Sequence, residues 1–379
     1  MKVVRGYKTE LDPTCEQYVL FCQCAGASRF AYNYGLARKQ ECYKQGQKTP
    51  YSNDLQRELT ARKHDDLFWL KPLSKWIVQN ALRDLDNAFE HFFRKCTLKK
   101  QGASSGKCGY PRFKGKKKGR GSFRLDAPVH VFEDALQLPK IGRVKLKESG
   151  YIPTWGVKVL SATVSEKAGR WYVSVQVQEE HPEPVAATGP VIGVDLGIKT
   201  LATCSDGQTF ANPQALRKKI NALKRASRQH SRKKKGSQNR RCAQRKLARV
   251  HARIANVRKD ALHKATSAIV AKTKPDCQRP RVIVLEDLHV SGMLKNRKLS
   301  RAIADVGLYE FRRQMEYKAR QVGVSVQTVS RWFPSSKTCS NCGMVKEELS
   351  LGERVYRCEA CGHIMDRDLN AARVLAASV

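Results

Sequence analysis

Four cysteines near the C-terminus constrain this chain more than any other feature. Cys339 and Cys342 form one CxxC pair, Cys358 and Cys361 form another, and 15 residues separate the two. Each CxxC makes a chelating turn, and Gly343 and Gly362 allow the tight backbone that follows it. Four thiolates complete a closed tetrahedral site with no open position for a catalytic water, so the spacing predicts one structural Zn²⁺ within residues 335–363. The competing reading, a pair of buried or redox-active CxxC turns, lacks a βαβ context. The other nine of the 13 cysteines lack regular spacing and read as small buried hydrophobes. An odd count in a chain of this size fits a reducing cytosol better than a disulfide framework.

The charge balance narrows the partner. In 379 residues, 72 Lys and Arg face 34 Asp and Glu, a formal charge of +38. Such self-repulsion destabilises a compact particle unless something anionic covers it. Nucleic acid is the expected cover, along a phosphate track longer than one groove contact. Ribosomal-type RNA binders and polybasic membrane patches are equally basic and compete with that reading. No run of about 18 apolar residues is present, so nothing spans a bilayer. Met1 to Arg5 lacks the apolar stretch of a signal peptide.

Periodicity divides the chain, whose length suits two or three domains. Residues 1–10 read as a strand. After Asp12-Pro13 the pattern is helical to about residue 97, most clearly where Val78, Leu82, Leu85, Phe89 and Phe92 recur at steps of four and three. Lys75, Gln79 and Arg83 lie on a different face of that helix, which spacing alone reads as solvated. Residues 101–122 form a basic loop carrying Tyr110, Arg112, Phe113 and Lys114. Aromatic faces there can stack on bases while cations take phosphates; a plain flexible linker fits the composition as well. From 129 to 178 the period becomes two, with Trp171, Val173, Val175 and Val177 alternating after a turn at Ala168-Gly169. Such strands can pair with the first one, making 11–120 a helical insertion in a small β-barrel. Residues 181–190 read as a linker.

Residues 211–260 carry 18 Lys and Arg and a single acid, Asp260. Leu216, Ile220 and Leu223 make one apolar stripe, and Leu247, Val250, Ile254, Val257 and Ala261 make a second. Lys233, Lys234, Lys235 and Gly236 mark the turn between them. The pattern predicts an antiparallel helical pair with basic outer faces. Beyond it come strands at 281–286 and 324–330 with a helix near 306–322.

Three acids stand in unusual settings. Asp195 ends the apolar run Val191 to Val194, and Glu286 ends a second apolar strand at 281–285. Asp368 opens a helix rich in small residues. An ionised acid on an apolar strand carries a large desolvation cost unless it meets a cation. Hard oxygen ligands converging from separate elements are what two Mg²⁺ ions need to hold a phosphodiester for in-line displacement. The order of acids matches a ribonuclease H-like fold. The bland alternative is that each acid caps a helix or pairs with Lys or Arg.

These motifs together resemble a known family. Gly-Val-Asp-Leu-Gly-Ile-Lys at 193–199, Leu-Glu-Asp-Leu at 285–288, Phe-Pro-Ser-Ser-Lys-Thr-Cys-Ser-Asn-Cys-Gly at 333–343 and Asp-Arg-Asp-Leu-Asn-Ala-Ala at 366–372 look like TnpB, the insertion-sequence protein similar to miniature type V CRISPR nucleases. The resemblance extends to Ser28-Arg29-Phe30-Ala31-Tyr32-Asn33 and to the 110–114 loop. It implies a multidomain α/β fold: a β-barrel wedge domain (1–10 and 121–180) interrupted by a helical recognition domain (11–120), then a RuvC-like nuclease domain (191–334 and 364–379) with a zinc-ribbon insertion (335–363).

It further implies an RNA-guided endonuclease of a transposable element, with a guide RNA from the transposon end and double-stranded DNA cut beside a short adjacent motif. One protein per RNA, in a prokaryotic cytoplasm, is the expected assembly. The family's catalytic acids fall on Asp195, Glu286 and Asp368, the last chosen over Asp366 by its place two before Asn370. Lys75 and Gln79 match helix positions that contact the adjacent motif in the family. Two other functions compete: a nuclease-inactive RNA-guided repressor, which needs a degraded triad, and a DDE-type transposase, which joins strands without RNA.

Overall fold

In a computed structural model the first strand, β1 (Lys2–Asp12), runs two residues past the expected end and organises everything up to residue 182. The structure describes residues 1–103, 106–116, 121–126, 128–271, 274–350 and 352–379. Two units emerge, Met1–Pro182 and Glu183–Val379.

In the first unit, helices α1 (Cys15–Lys44), α2 (Ser52–Ala61) and α3 (Lys75–Lys100) separate β1 from strands β2 (Ser122–Asp126), β3 (His130–Val131), β4 (Ala135–Leu138), β5 (Gly142–Leu146), β6 (Val157–Lys167) and β7 (Arg170–Glu180). The seven strands form one sheet in the order β2-β6-β7-β1-β5-β4-β3. β1 pairs antiparallel with β7 from Lys2↔Glu180 to Glu10↔Tyr172, then continues onto β5 at Leu11↔Leu146. The expected return of the late strands to the first is therefore present. Among the described residues β2 and β3, the two ends of that order, do not pair with each other.

Alternation decides which face of β7 is covered: Trp171, Val173, Val175 and Val177 are all buried. Helix α1 begins with a capping box, in which Thr14 Oγ1 accepts the Gln17 N–H and the Gln17 side chain accepts the Thr14 N–H. Phe21 on α1 meets the sheet at Trp171, ring centroids 5.2 Å apart. Gly35 lets α1 approach α3, since a Cβ there would stand 2.9 Å from Leu85 Cδ2. The predicted stripe on α3 holds at its start, where Val78, Leu82 and Leu85 are buried; Phe89 and Phe92 are half-buried.

The second unit contains strands β8 (Gly189–Asp195), β9 (Thr200–Cys204) and β10 (Thr209–Ala211), then helices α4 (Ala215–Ser231) and α5 (Gln238–Val270). Strand β11 (Pro280–Glu286), helices α6 (Val290–Met293), α7 (Ser300–Val306) and α8 (Leu308–Arg320), and strand β12 (Ser325–Val329) follow. The chain ends in a hairpin of β13 (Val355–Arg357) and β14 (Ile364–Asp366), then helix α9 (Arg367–Ala376). The five-stranded sheet has the order β10-β9-β8-β11-β12, with β8, β11 and β12 parallel and the β9 and β10 edge antiparallel. Parallel strands must be covered on both faces. α9 packs directly on β8, because Gly193 offers no side chain where a Cβ would collide with the Ala372 carbonyl oxygen.

Several expectations need correction. The 181–190 linker is not free: the Ala187 N–H donates to the Gly323 carbonyl at 3.1 Å, and Gly189 already begins β8. The helix expected near 306–322 is present as α8, and a shorter helix, α7, precedes it, the two separated by Gly307 with φ of 80°. In the basic pair, the second apolar stripe is buried only at Ile254, while Val257 is exposed; α5 buries Leu262, Ala265, Ile269 and Val270 instead, one to four turns later. The scattered cysteines are not uniformly buried, since Cys15 and Cys277 are exposed. Residues 104, 105 and 117–120 of the expected basic loop lie outside the described residues.

Candidate functional site

The parallel register of β8 and β11 brings two of the acids to neighbouring strand ends. Leu285 is paired with Val194, so Glu286 and Asp195 each follow a paired residue. Asp368 enters from the first turn of α9, which the absent side chain at Gly193 allows to lie against β8. Glu286 and Asp368 both bear on Asp195. Burial, and then the charges of Glu286 and Asp368, push the Asp195 carboxyl up to about 7, against the pull of Arg367 and the Leu196 N–H.

Their neighbours explain why these acids, and not the ones beside them, are left for other work. Asp287 is bound to Arg312 at 2.9 Å and to Arg331 at 2.7 Å, and the two guanidiniums hold its carboxyl below the usual range. Asp366 caps α9, its Oδ1 accepting the N–H groups of Asp368 at 3.0 Å and Leu369 at 3.1 Å. Glu286 accepts a hydrogen bond from Ser335 Oγ. Asp368 has Arg367 at 3.3 Å and Arg354 at 4.0 Å. Three hard oxygen donors brought together in this way, with ion pairs only at Asp368 among the described residues, fit divalent cations.

The cysteine cluster is tighter. Cys339 and Cys361 Sγ atoms are 3.7 Å apart, and those of Cys342 and Cys358 are 3.5 Å apart. A tetrahedral zinc with bonds near 2.3 Å places its sulfurs about 3.8 Å apart. All four ligand atoms lie within 4.8 Å of one another, and among the described residues no other set of three, the acids included, is so closely gathered. The two turns are built alike. The Gly343 N–H donates to the Cys339 carbonyl and Gly362 to Cys358, both at 3.0 Å, with φ of 76° and 71° at the glycines. Hydrogen bonds from Asn341 and from the His363 backbone N–H lead the influences that lower the Cys361 thiol to about 6, which favours the ligating thiolate.

A residue that sequence reasoning missed connects the two clusters. Asn370 is fully buried; its Oδ1 accepts the Ser340 N–H at 2.9 Å and its Nδ2 donates to the Thr338 carbonyl at 2.7 Å. It thereby fastens the first cysteine turn to the helix that carries Asp368. Ser335 was likewise given no role, although both residues lie inside the quoted motifs. Asp305 was also missed. Its carboxylate accepts the N–H of Leu216 at the start of α4 at 2.9 Å and lies 3.7 Å from Arg258 of α5, anchoring the basic pair.

The expected nucleic-acid residues are dispersed. Lys233 and Lys234 sit exposed in the turn between α4 and α5. Lys75 opens α3 in the exposed state and Gln79 is half-buried one turn on. Arg83, on the same face, lies 3.6 Å from Asp126. In the loop, Arg112 and Phe113 are exposed, while Tyr110 rests edge-on against Phe89 and Phe92. Lys114 is exposed yet partnered: its ammonium is 3.8 Å from the Tyr32 ring centroid, and its backbone and Asn33 exchange two hydrogen bonds.

Residues 172–297 match the family described as a probable transposase of the IS605 OrfB type, and residues 309–375 match a Cas12f1-like TNB domain. A helix-turn-helix domain matches residues 1–48, which here form one strand and one 30-residue helix. A protein of Streptomyces pristinaespiralis, provisionally named an RNA-guided DNA endonuclease, is 37% identical over all of this chain and 90% of its own length. The chain belongs to the TnpB family. InsQ of Escherichia coli K12, provisionally named in the same way, is 34% identical over all of this chain and 93% of its own. Among solved structures, Cas12f1 in its complex with guide RNA and target DNA aligns with a TM-score of 0.55 at 15% identity, covering 96% of this chain and 83% of that one, a likeness of fold. Among the described residues no helix is long and apolar enough to cross a membrane.

Proposed function

We propose that this TnpB protein is an RNA-guided endonuclease that cuts double-stranded DNA next to a short adjacent motif, hydrolysing the phosphodiester at Asp195, Glu286 and Asp368. The observation that carries the reading is the meeting of two strand ends and one helix at three acids, where burial, and then the charges of Glu286 and Asp368, push the Asp195 carboxyl up to about 7. Two Mg²⁺ ions bound by them would supply charge stabilisation for the attacking and departing oxygens. Ser335 holds Glu286 in place, and Arg331 and Arg312 keep Asp287 out of the cluster. One Zn²⁺ on Cys339, Cys342, Cys358 and Cys361 has a structural part, because the set is closed and all-sulfur.

In this reading the sheet of the second unit is a RuvC-like, ribonuclease H-like nuclease domain (191–334 and 364–379), with the zinc ribbon (335–363) inserted. The sheet of the first unit is the wedge domain (1–10 and 121–180), and 11–120 is the recognition domain. Lys233 and Lys234 take guide-RNA phosphates, and Arg112, Phe113 and Tyr110 contact the strand. Lys75 and Gln79 read the adjacent motif. Lys114 joins Arg112, Phe113 and Tyr110 on the strand from its place over the Tyr32 ring. Base pairing supplies the remaining specificity, and a net charge of +38 holds the RNA. One protein per RNA acts in the cytoplasm.

The test is to purify the protein with RNA from its native locus, sequence that RNA and assay cutting of a matching target. A discrete transcript with a variable end, Mg²⁺-dependent cutting, and loss of cutting but not of binding in Asp195→Ala are expected. Bulk cellular RNA alone, or persistent cutting by Asp195→Ala, would overturn the assignment.

A further inference from the structure

A cleft of about 510 Å³ opens beside Glu286, a volume in the range that small ligands occupy. Its wall begins with Leu196 and Leu285, the chain neighbours of Asp195 and Glu286, and continues through Leu288 and Leu308. Tyr309, at the start of α8, stands at its edge with 71% of its surface exposed.

The charges around the cleft cancel. Arg312 and Arg313 line it together with Glu286 and Glu316, two cations against two acids. Both guanidiniums already have partners. Arg312 binds Asp287 at 2.9 Å and Glu316 at 3.0 Å, while Arg313 grips Glu310 with two hydrogen bonds at 2.8 and 2.7 Å. In a chain with 38 excess positive charges, a near-neutral cleft that sets four leucines and an exposed tyrosine beside His289 and Ser291 is not built to hold a phosphate. Its surface suits a flat, apolar-faced group with polar edges.

Resting on the nuclease reading above, we propose that this cleft receives the base of the nucleotide adjoining the scissile phosphate, unstacked from a single strand, with Tyr309 stacking on its face and the leucines beneath it. The paired arginines keep the wall rigid and leave the phosphate to the acids. Seating one base in the cleft fixes the register of the strand, so the phosphate beside it, and not its neighbours, lies at Glu286.

The experiment uses the protein–RNA complex and target DNA carrying single abasic sites walked across the cut position. Stacking of a base on an aromatic ring is worth on the order of a five- to hundredfold effect. The wild-type complex should lose that factor in cleavage at one abasic position next to the cut. Tyr309→Ala should lose a similar factor on intact DNA and no more at that abasic position, while Tyr309→Phe recovers most of the rate. Unchanged cleavage by Tyr309→Ala, or abasic sensitivity that persists in it, would overturn the proposal.

A second measurement does not need cutting. 5-Iodouracil placed along the target strand, bound by the Asp195→Asn complex, should crosslink to Tyr309 from one position. Crosslinking without any cutting by the wild type sinks the nuclease reading and leaves the base site. Cutting with no crosslink at Tyr309 from any position sinks the base site and leaves the nuclease.

Discussion

Asp366 and Asp368 stand two residues apart and do different work: the Asp366 carboxylate accepts the Asp368 N–H at 3.0 Å, while the Asp368 carboxylate bears on Asp195. One acid fixes the start of the helix, and the other is carried by it. Asp366→Ala is expected to remove a cap, costing on the order of 0.5–2 kcal/mol, and to lower the melting temperature by a few degrees with cutting retained. Asp368→Ala is expected to abolish cutting with the melting temperature little changed. Thermal unfolding and target cleavage, measured on both variants, separate the two roles.

The crowding of acids also predicts a trade of stability for function. Burial and the two neighbouring carboxylates raise the folded-state value of Asp195 from 3.8 to about 7. A group held above its unfolded value binds its proton more tightly when folded, so its ionisation costs stability. In protein without added divalent ions, this cost should be absent below about pH 4 and grow as pH rises to 7. Asp195→Asn should therefore be more stable than the wild type at pH 7 to 8, with the gap closing on acidification. Adding Mg²⁺ should narrow the gap from the wild-type side. Melting curves at several pH values, with and without Mg²⁺, check this; a gap independent of pH contradicts it.

The zinc ribbon and the acid cluster should be coupled through Asn370. Asn370→Ala leaves the Ser340 N–H and Thr338 carbonyl without their buried partner, a loss of about 1–3 kcal/mol. The four thiols are untouched, so zinc content should stay at one per chain. Cutting should fall by tenfold or more with target affinity unchanged, because the helix carrying Asp368 loosens. Metal analysis, equilibrium binding and single-turnover cleavage on the same preparation distinguish this from general unfolding, in which zinc, binding and rate fall together.

Much of this arrangement was legible in the sequence, for identifiable reasons. CxxC spacing is local, and period two is local, so the cysteine turns and the face of β7 followed directly. Asp195 and Glu286 were visible because acids on apolar strands are conspicuous. What could not be read was anything decided by long-range contact. That Asp287 is tied up while Glu286 is not depends on Arg312 and Arg331, 25 and 44 residues away. The basic pair misled at Val257 because the buried face of α5 lies mostly beyond it, at Leu262, Ala265, Ile269 and Val270, where α8 packs through Lys318 and Gln314 on His263 and Thr266. The contact of Lys114 with the Tyr32 ring was not legible either, because nothing in its neighbourhood announces Tyr32.

Gly193 gives the sharpest test of how the third acid reaches the other two. β8 and α9 touch backbone to backbone there, and a methyl group would collide with the Ala372 carbonyl oxygen and stand 2.5 Å from the Ala376 nitrogen. Neither is the tip of a flexible side chain, so α9 has to move. Gly193→Ala is expected to destabilise the second unit by roughly 1–3 kcal/mol, the range for overpacked cores. It should cost cutting far more than that figure suggests, because the same shift carries Asp368 away from Asp195 and Glu286. Gly207→Ala is the comparison: its φ of 90° strains any side chain, yet nothing lies within 4 Å of the added methyl. Both variants should lose stability, and only Gly193→Ala should lose cleavage out of proportion when compared at temperatures well below melting. Equal losses of cleavage in the two would mean that the position of α9 on β8 does not set the geometry of the acids.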